Sequence, residues 1–248
     1  MDKKTYAEGT WFLTGITFLG GYLDAYTYLT RGGVFANNHT ANMANLGIRA
    51  AQGDWRGAMA CLIPMLACVL GAAASGVLKN RPKRRLISGD WRQDALLLEL
   101  LALIAAGFIH PGVSDFAVNA GFSFLTGYQL CLFRSWEGSA HNTTICTGNL
   151  RSLGQYLYEA AEGRGPGAWA KPLRYAFLVF SFAAGAGTGA WICAAAGQRA
   201  TWAACPLLAL WICRVALSEQ EKQMTLSAIR RLRLEDKFPF GKRTPESW

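Results

Sequence analysis

The chain has 248 residues, only 17% of them charged, and a formal net charge of +9. Ordinary soluble domains carry about 25% charged residues, and here the charge is crowded into short stretches, so that mean hydropathy is a modest +0.15. Residues 57–78, 116–133 and 175–198 hold no charge at all, which argues against a water-facing globule and predicts an all-α integral membrane protein.

In chain order, the first predicted span is Trp11–Thr30, with one acid, Asp24. Arg31-Gly32-Gly33-Val34-Phe35-Ala36 then reads as extended, and a helical pattern follows from about Asn37 to Ala50. The second span is Gly57–Leu78, and a basic loop at 79–93 precedes the third, Ala95–Val113, which holds Glu99. The fourth is Phe116–Phe133, followed by an extended Gly138–Thr143 and a helix from about Thr144 to Glu159. Tyr175–Gln198 and Ala200–Leu217 complete six spans, each close to the roughly 20 residues that cross a bilayer. Residues 218–248 form a basic tail, expected to be cytoplasmic and to include a helix lying on the membrane.

With the N-terminus inside, every Lys and Arg except Arg31, Arg49, Arg56 and Arg199 falls on the cytoplasmic side. This positive-inside bias places both termini in the cytoplasm. The excess of bases is accounted for by topology and anionic lipid, so no nucleic-acid partner is expected. Seven cysteines without a C-x-x-C pair, and three histidines without an i,i+4 partner, give no disulfide, zinc or other metal framework, and no cofactor is implied.

Two stretches resemble each other. Gly21-Tyr22 is followed by Thr40-Ala41-Asn42, and Gly127-Tyr128 by Thr147-Gly148-Asn149. Both motifs extend to T-x-N-x-x-[N/S]-L-G at an offset of 107 residues, 106 at the Gly-Tyr pair, which indicates duplication. Three spans per half invert the second copy, an architecture of transporters and channels. The expected layout is one membrane domain over 1–217, with repeat one at about 11–78, the loop at 79–93 and repeat two at about 94–217, its motif at 127–154.

Each polar stretch fits a re-entrant half-helix. Five extended residues reach about 16 Å, half the hydrocarbon core, and a 14-residue helix returns about 21 Å. Helix N-termini meeting at the midplane would favour an anionic or carbonyl-bearing solute. An amphipathic helix at the interface is the alternative reading of the same residues. The candidate solute-binding residues are Asp24, Asn37, Asn38, Thr40, Asn42, Gln129, Thr144, Thr147 and Asn149. Asp24 serves either proton coupling or a structural cap. Gln129 serves either the pathway or a helix–helix hydrogen bond. Glu99 is expected to pair with the Arg84, Arg85 and Arg92 cluster. Gly71–Gly76 and Gly185–Gly189 read as close-packing faces, not phosphate loops.

Gly21-Tyr22-Leu23-Asp24-Ala25, Gly32-Gly33-Val34-Phe35 and Thr40-Ala41-Asn42 resemble the first signature of the YoaK-like family of bacterial inner-membrane proteins. Gly127-Tyr128-Gln129, Thr144 and Thr147-Gly148-Asn149-Leu150 resemble its second, and the likeness runs from Trp11 to about Leu217. Ala41 stands where Gly is usual, His39 sits inside the first motif, and Leu130-Cys131 replaces the usual Asn-Ala. The resemblance implies a six-spanning protein and no particular chemistry. The reading is a secondary transporter of a small polar or anionic solute, in a bacterial plasma membrane and compatible with a homo-oligomer. A scaffold or sensor acting through the tail is the alternative. A channel ranks lower, and so does an intramembrane enzyme, because no catalytic motif is present.

Overall fold

The computed structural model describes residues 9–79, 91–110, 112, 115–132, 135–136, 139–140, 146–163, 167–217 and 224. The fold is α-helical. The helices are α1 (Thr10–Thr30), α2 (His39–Ala51), α3 (Trp55–Lys79), α4 (Trp91–Phe108), α5 (Asp115–Leu132), α6 (Cys146–Ala161) and α7 (Ala170–Ala196). A 3₁₀ turn, Gly197–Ala200, leads into α8 (201–217). After α5 a two-residue ladder pairs Ser135–Trp136 with Ser139–Ala140.

Each of the six predicted spans falls on a helix, although the third, expected over Ala95–Val113, begins at Trp91 and ends at Phe108. Two helical runs, Trp55–Gly76 and Ala170–Leu217, are long and apolar enough to cross a membrane. The second is two helices. Tyr22 and Tyr26 of α1 donate to the carbonyls of Ala200 and Gln198, at 2.5 and 3.2 Å, whereas Phe12, one α1 end away, stacks edge-on against Trp211 at 5.3 Å. The chain therefore descends beside α1 after rising beside it in α7, and Gly197, at φ +54°, makes the reversal.

Two helix pairs approach until backbones touch. A Cβ on Gly21 would lie 2.0 Å from the Phe182 carbonyl oxygen, and one on Gly185 1.9 Å from that of Phe18. On the other pair, Gly71 faces the Phe124 carbonyl at 1.9 Å and Gly127 that of Cys68 at 2.0 Å. So α1 packs on α7 and α3 on α5, each across a glycine from either helix, as small residues permit. The shorter amphipathic helices follow suit, α2 on α3 and α6 on α7.

Along α1 the buried core takes in Phe12, Leu13, Ile16, Leu19, Tyr22 and Tyr26, all at 2% exposure or less. The outward faces are apolar too: Leu66, Val69 and Leu70 on α3, Phe108 on α4, Phe177, Phe180 and Trp191 on α7 are more than half exposed. Apolar area of this extent suits lipid better than water.

Candidate functional site

The segment between α1 and α2 turns back along α1. Gly32 and Gly33, at φ +83° and +70°, allow the turn. Four residues later Asn37 donates from Nδ2 to the Gly20 carbonyl at 2.9 Å, and its backbone N–H donates to Asp24 Oδ1 at 2.7 Å. Gly20 is the middle residue of α1, about 15 Å from that helix's C-terminal end. From there α2 runs back out, and Arg49 near its end reaches the Gly57 carbonyl at the start of α3, at 3.3 Å. The returning-segment geometry is therefore present, with α2 beginning beside the midpoint of α1.

A buried stretch of non-helical backbone needs a partner for each polar group. Asn119 Nδ2 donates to the Arg31 carbonyl at 2.9 Å, and Ser123 Oγ to that of Ala36 at 2.8 Å. Thr27 Oγ1 accepts from the Ala36 N–H at 3.0 Å. Asn42 clamps Phe35 from both sides, accepting its N–H at 3.1 Å and donating to its carbonyl at 2.7 Å. Thr126 Oγ1 donates to Asn37 Oδ1.

Asp24 is 4% exposed and is one of these caps. It also supplies a carboxylate at the start of α2, where a solute anion was expected to sit. Asn38 is the N-cap and accepts from the Ala41 N–H at 3.2 Å. The α2 N-terminus is thus largely served by the protein's own groups.

The other candidates divide. Gln129 is buried on α5 and donates to Glu99 Oε2, so these two form a helix–helix bond between α5 and α4. Of the bases expected to pair with Glu99, Arg84, Arg85 and the side chain of Arg92 lie outside what is described, as does Thr144. Asn42 and Asn149 are both buried, at 0% and 2%, whereas Thr40 and Thr147 are exposed on the first turns of α2 and α6. In both T-x-N motifs it is the Asn that enters the core. Asn42→Leu leaves the Phe35 N–H and carbonyl unpaired and is expected to destabilise the fold by about 1–3 kcal/mol. Thermal unfolding in detergent checks this, with Thr40→Val expected to match the parent.

Thr17, Thr27, Arg31, Asn119, Ser123 and Thr126 are buried polar residues that belong to neither T-x-N motif. Their spacing carries a signal. Thr17, Gly20, Asp24, Thr27 and Arg31 recur every three or four residues on α1, as do Asn119, Ser123 and Thr126 on α5, so each helix presents one polar stripe.

Arg31 is fully buried and well satisfied. Nη2 donates to Tyr26 Oη and to the Ala106 and Ile109 carbonyls at 2.7–2.8 Å. Nε donates to Tyr26 Oη at 3.0 Å, and Nη1 meets Asp115 Oδ1 at 3.5 Å. It ties the end of α1 to the end of α4 and the start of α5. Beside it opens a pocket of about 370 Å³, walled by this pair together with Arg49, Arg56 and Asn119. Among the described residues no group of His, Cys, Asp and Glu could hold a metal ion, and all seven cysteines are free thiols.

No protein of curated function matches this chain. No solved structure matches it either. Residues 12–213 match the model of a family described as "Protein of unknown function (DUF1275)", in keeping with the YoaK-like resemblance, and the chain belongs to that family.

Proposed function

We propose that the chain crosses a bilayer six times, as two inverted three-span halves, and moves a small polar or anionic solute as a secondary transporter. The observation that carries this reading is the polar segment that returns from the end of α1 to its midpoint and is held there by side chains of α1, α2 and α5. Irregular backbone at such depth is tolerated in membranes where it is covered by protein or lines a polar cavity, and transporters place their sites there.

The glycine contacts support the inverted halves. Gly21 and Gly127 are equivalent in the two repeats, and each meets the carbonyl three residues before the partner glycine, 185 or 71. On this reading α1 to α4 form one half and α5 to α8 the other. The first half then closes with α4, not near residue 78, and each half's first helix packs on the other half's α3 or α7. Two halves interlocked in this way could rock about their shared contacts. The outward apolar faces of α3, α4 and α7 support the bilayer as surroundings.

Asp24 links the segment to coupling. Protonation would weaken its charge-assisted bond to the Asn37 N–H and loosen the start of α2. Flux of labelled small carboxylates and amino acids into proteoliposomes tests the proposal. Uptake is expected for at least one of them, with near-complete loss in Asn37→Leu. In Asp24→Asn, which keeps an acceptor for the Asn37 N–H, uptake is expected to persist but to lose its response to a pH gradient. An unchanged response would remove proton coupling, and no flux of any solute in the panel would remove transport.

A further inference from the structure

The outer pocket contains more binding capacity than the fold consumes. Arg31 and Asp115 neutralise each other on its wall, and Asp115 Oδ2 also accepts from the Gly112 N–H at 2.9 Å. Arg49 gives one N–H to Gly57 at 3.3 Å, leaving the other guanidinium donors over. Arg56 has no hydrogen-bond or ion-pair partner among the described residues. Two guanidiniums are therefore available, against one carboxylate, Asp54, whose Oδ1 already caps the Gly57 N–H at 2.9 Å.

The same wall holds an unsatisfied acceptor. Asn119 is 2% exposed, its Nδ2 is committed to the Arg31 carbonyl, and its buried Oδ1 has no partner. Leaving such an oxygen unpaired costs about 1–3 kcal/mol. A second acceptor is nearby. Ala60 also lines the pocket, and its carbonyl lacks the usual helical donor because Pro64, four residues on, has no N–H. A solute that brings both an anion for the arginines and a donor for these oxygens answers all of them.

We propose that this pocket is the outward-facing binding site for a small carboxylate that also carries a hydroxyl or amino donor. Guanidiniums match carboxylates in geometry as well as charge. At about 370 Å³ the pocket lies at the small end of ligand sites, which run to roughly 1,000 Å³. It opens beside Gly32, where the returning segment begins. The inference rests on the transport reading for the purpose of binding, but not for the binding itself.

Calorimetry on the purified full-length protein in detergent, with glycolate, glycine and acetate as probes, tests it. Glycolate, glycine or both are expected to bind at least tenfold more tightly than acetate, which has the anion without the donor; which of the two binds identifies the donor. Arg56→Gln, on an exposed side chain, is expected to weaken binding fivefold or more, and Arg49→Gln further. Asn119→Leu is expected to bring glycolate down to acetate. Should that variant fail to fold, the acetate contrast and Arg56→Gln still decide. Equal binding of acetate, unchanged affinity in both arginine variants, or no binding by any probe overturns the proposal. Binding without flux would sink transport and keep this site, and flux without this binding would do the reverse.

Discussion

Gly185→Ala is expected to unfold the protein at a markedly lower temperature than the parent, and Gly187→Ala, on the same helix, is expected to match the parent. The two substitutions add the same methyl group. At Gly185 it would lie 1.9 Å from the Phe18 carbonyl oxygen, and backbone cannot step aside as a flexible side chain can. At Gly187 nothing lies within 4 Å. Overpacking of a close contact costs typically 1–3 kcal/mol, and here α1 and α7 must separate along their length. Gly71→Ala against Gly76→Ala repeats the comparison on α3, with the Phe124 carbonyl at 1.9 Å in the first case and open space in the second. Thermal unfolding monitored by size-exclusion chromatography reads all four. Equal behaviour within either pair would mean that the helix crossings are wrong.

Arg31→Gln is expected to be the most damaging single change among the polar residues. The side chain is fully buried and its donors are spread over Tyr26, Ala106, Ile109 and Asp115, from three different helices or their ends. A glutamine cannot reach all of them, and it leaves two carbonyls and a carboxylate short of partners. Each buried carbonyl left without its donor costs about 1–3 kcal/mol, and Asp115, 24% exposed, also loses its ion partner. The expected result is loss of monodisperse protein after extraction. Arg31→Lys is expected to recover only part of it, because one ammonium cannot replace the planar fork. A stable, monodisperse Arg31→Gln protein would show that the end of α1 is held by other contacts.

The helices were legible from the sequence because charge-free length is a local property. The first span was expected at Trp11–Thr30 and is Thr10–Thr30. The fifth was expected from Tyr175 but begins at Ala170, since Lys171 and Arg174 sit within its first turns and ended the charge-free run. The returning helix was also legible, from Asn and Thr at its start, although it begins at His39 because the backbone of Asn37 is spent on Asp24. Arg31 was not legible. Next to two glycines it reads as an exposed base that sets topology, and its carbonyl partners lie 75 and 78 positions away on α4. The glycine faces announced close packing but not which helices meet. Asp24 is weighed between coupling and capping; it accepts the Asn37 N–H, and the pH response of Asp24→Asn decides whether it also couples. The site's polar stripes were visible in the spacing of α1 and α5, yet each residue alone looked like an ordinary Thr, Ser or Asn in a helix.

The central claim is that α2 starts deep and returns outward. Spin labels on Cys introduced at Asn38 and at Gln52, in a background with the seven native cysteines replaced, measure this by their relative accessibility to oxygen and to a water-soluble nickel chelate in lipid bilayers. The two positions cap opposite ends of a 13-residue helix, which is about 20 Å long. The account predicts a label at 38 deeper than one at 52 by on the order of 15–20 Å. Equal depth at the two positions would mean that α2 lies in the interface, and would contradict it.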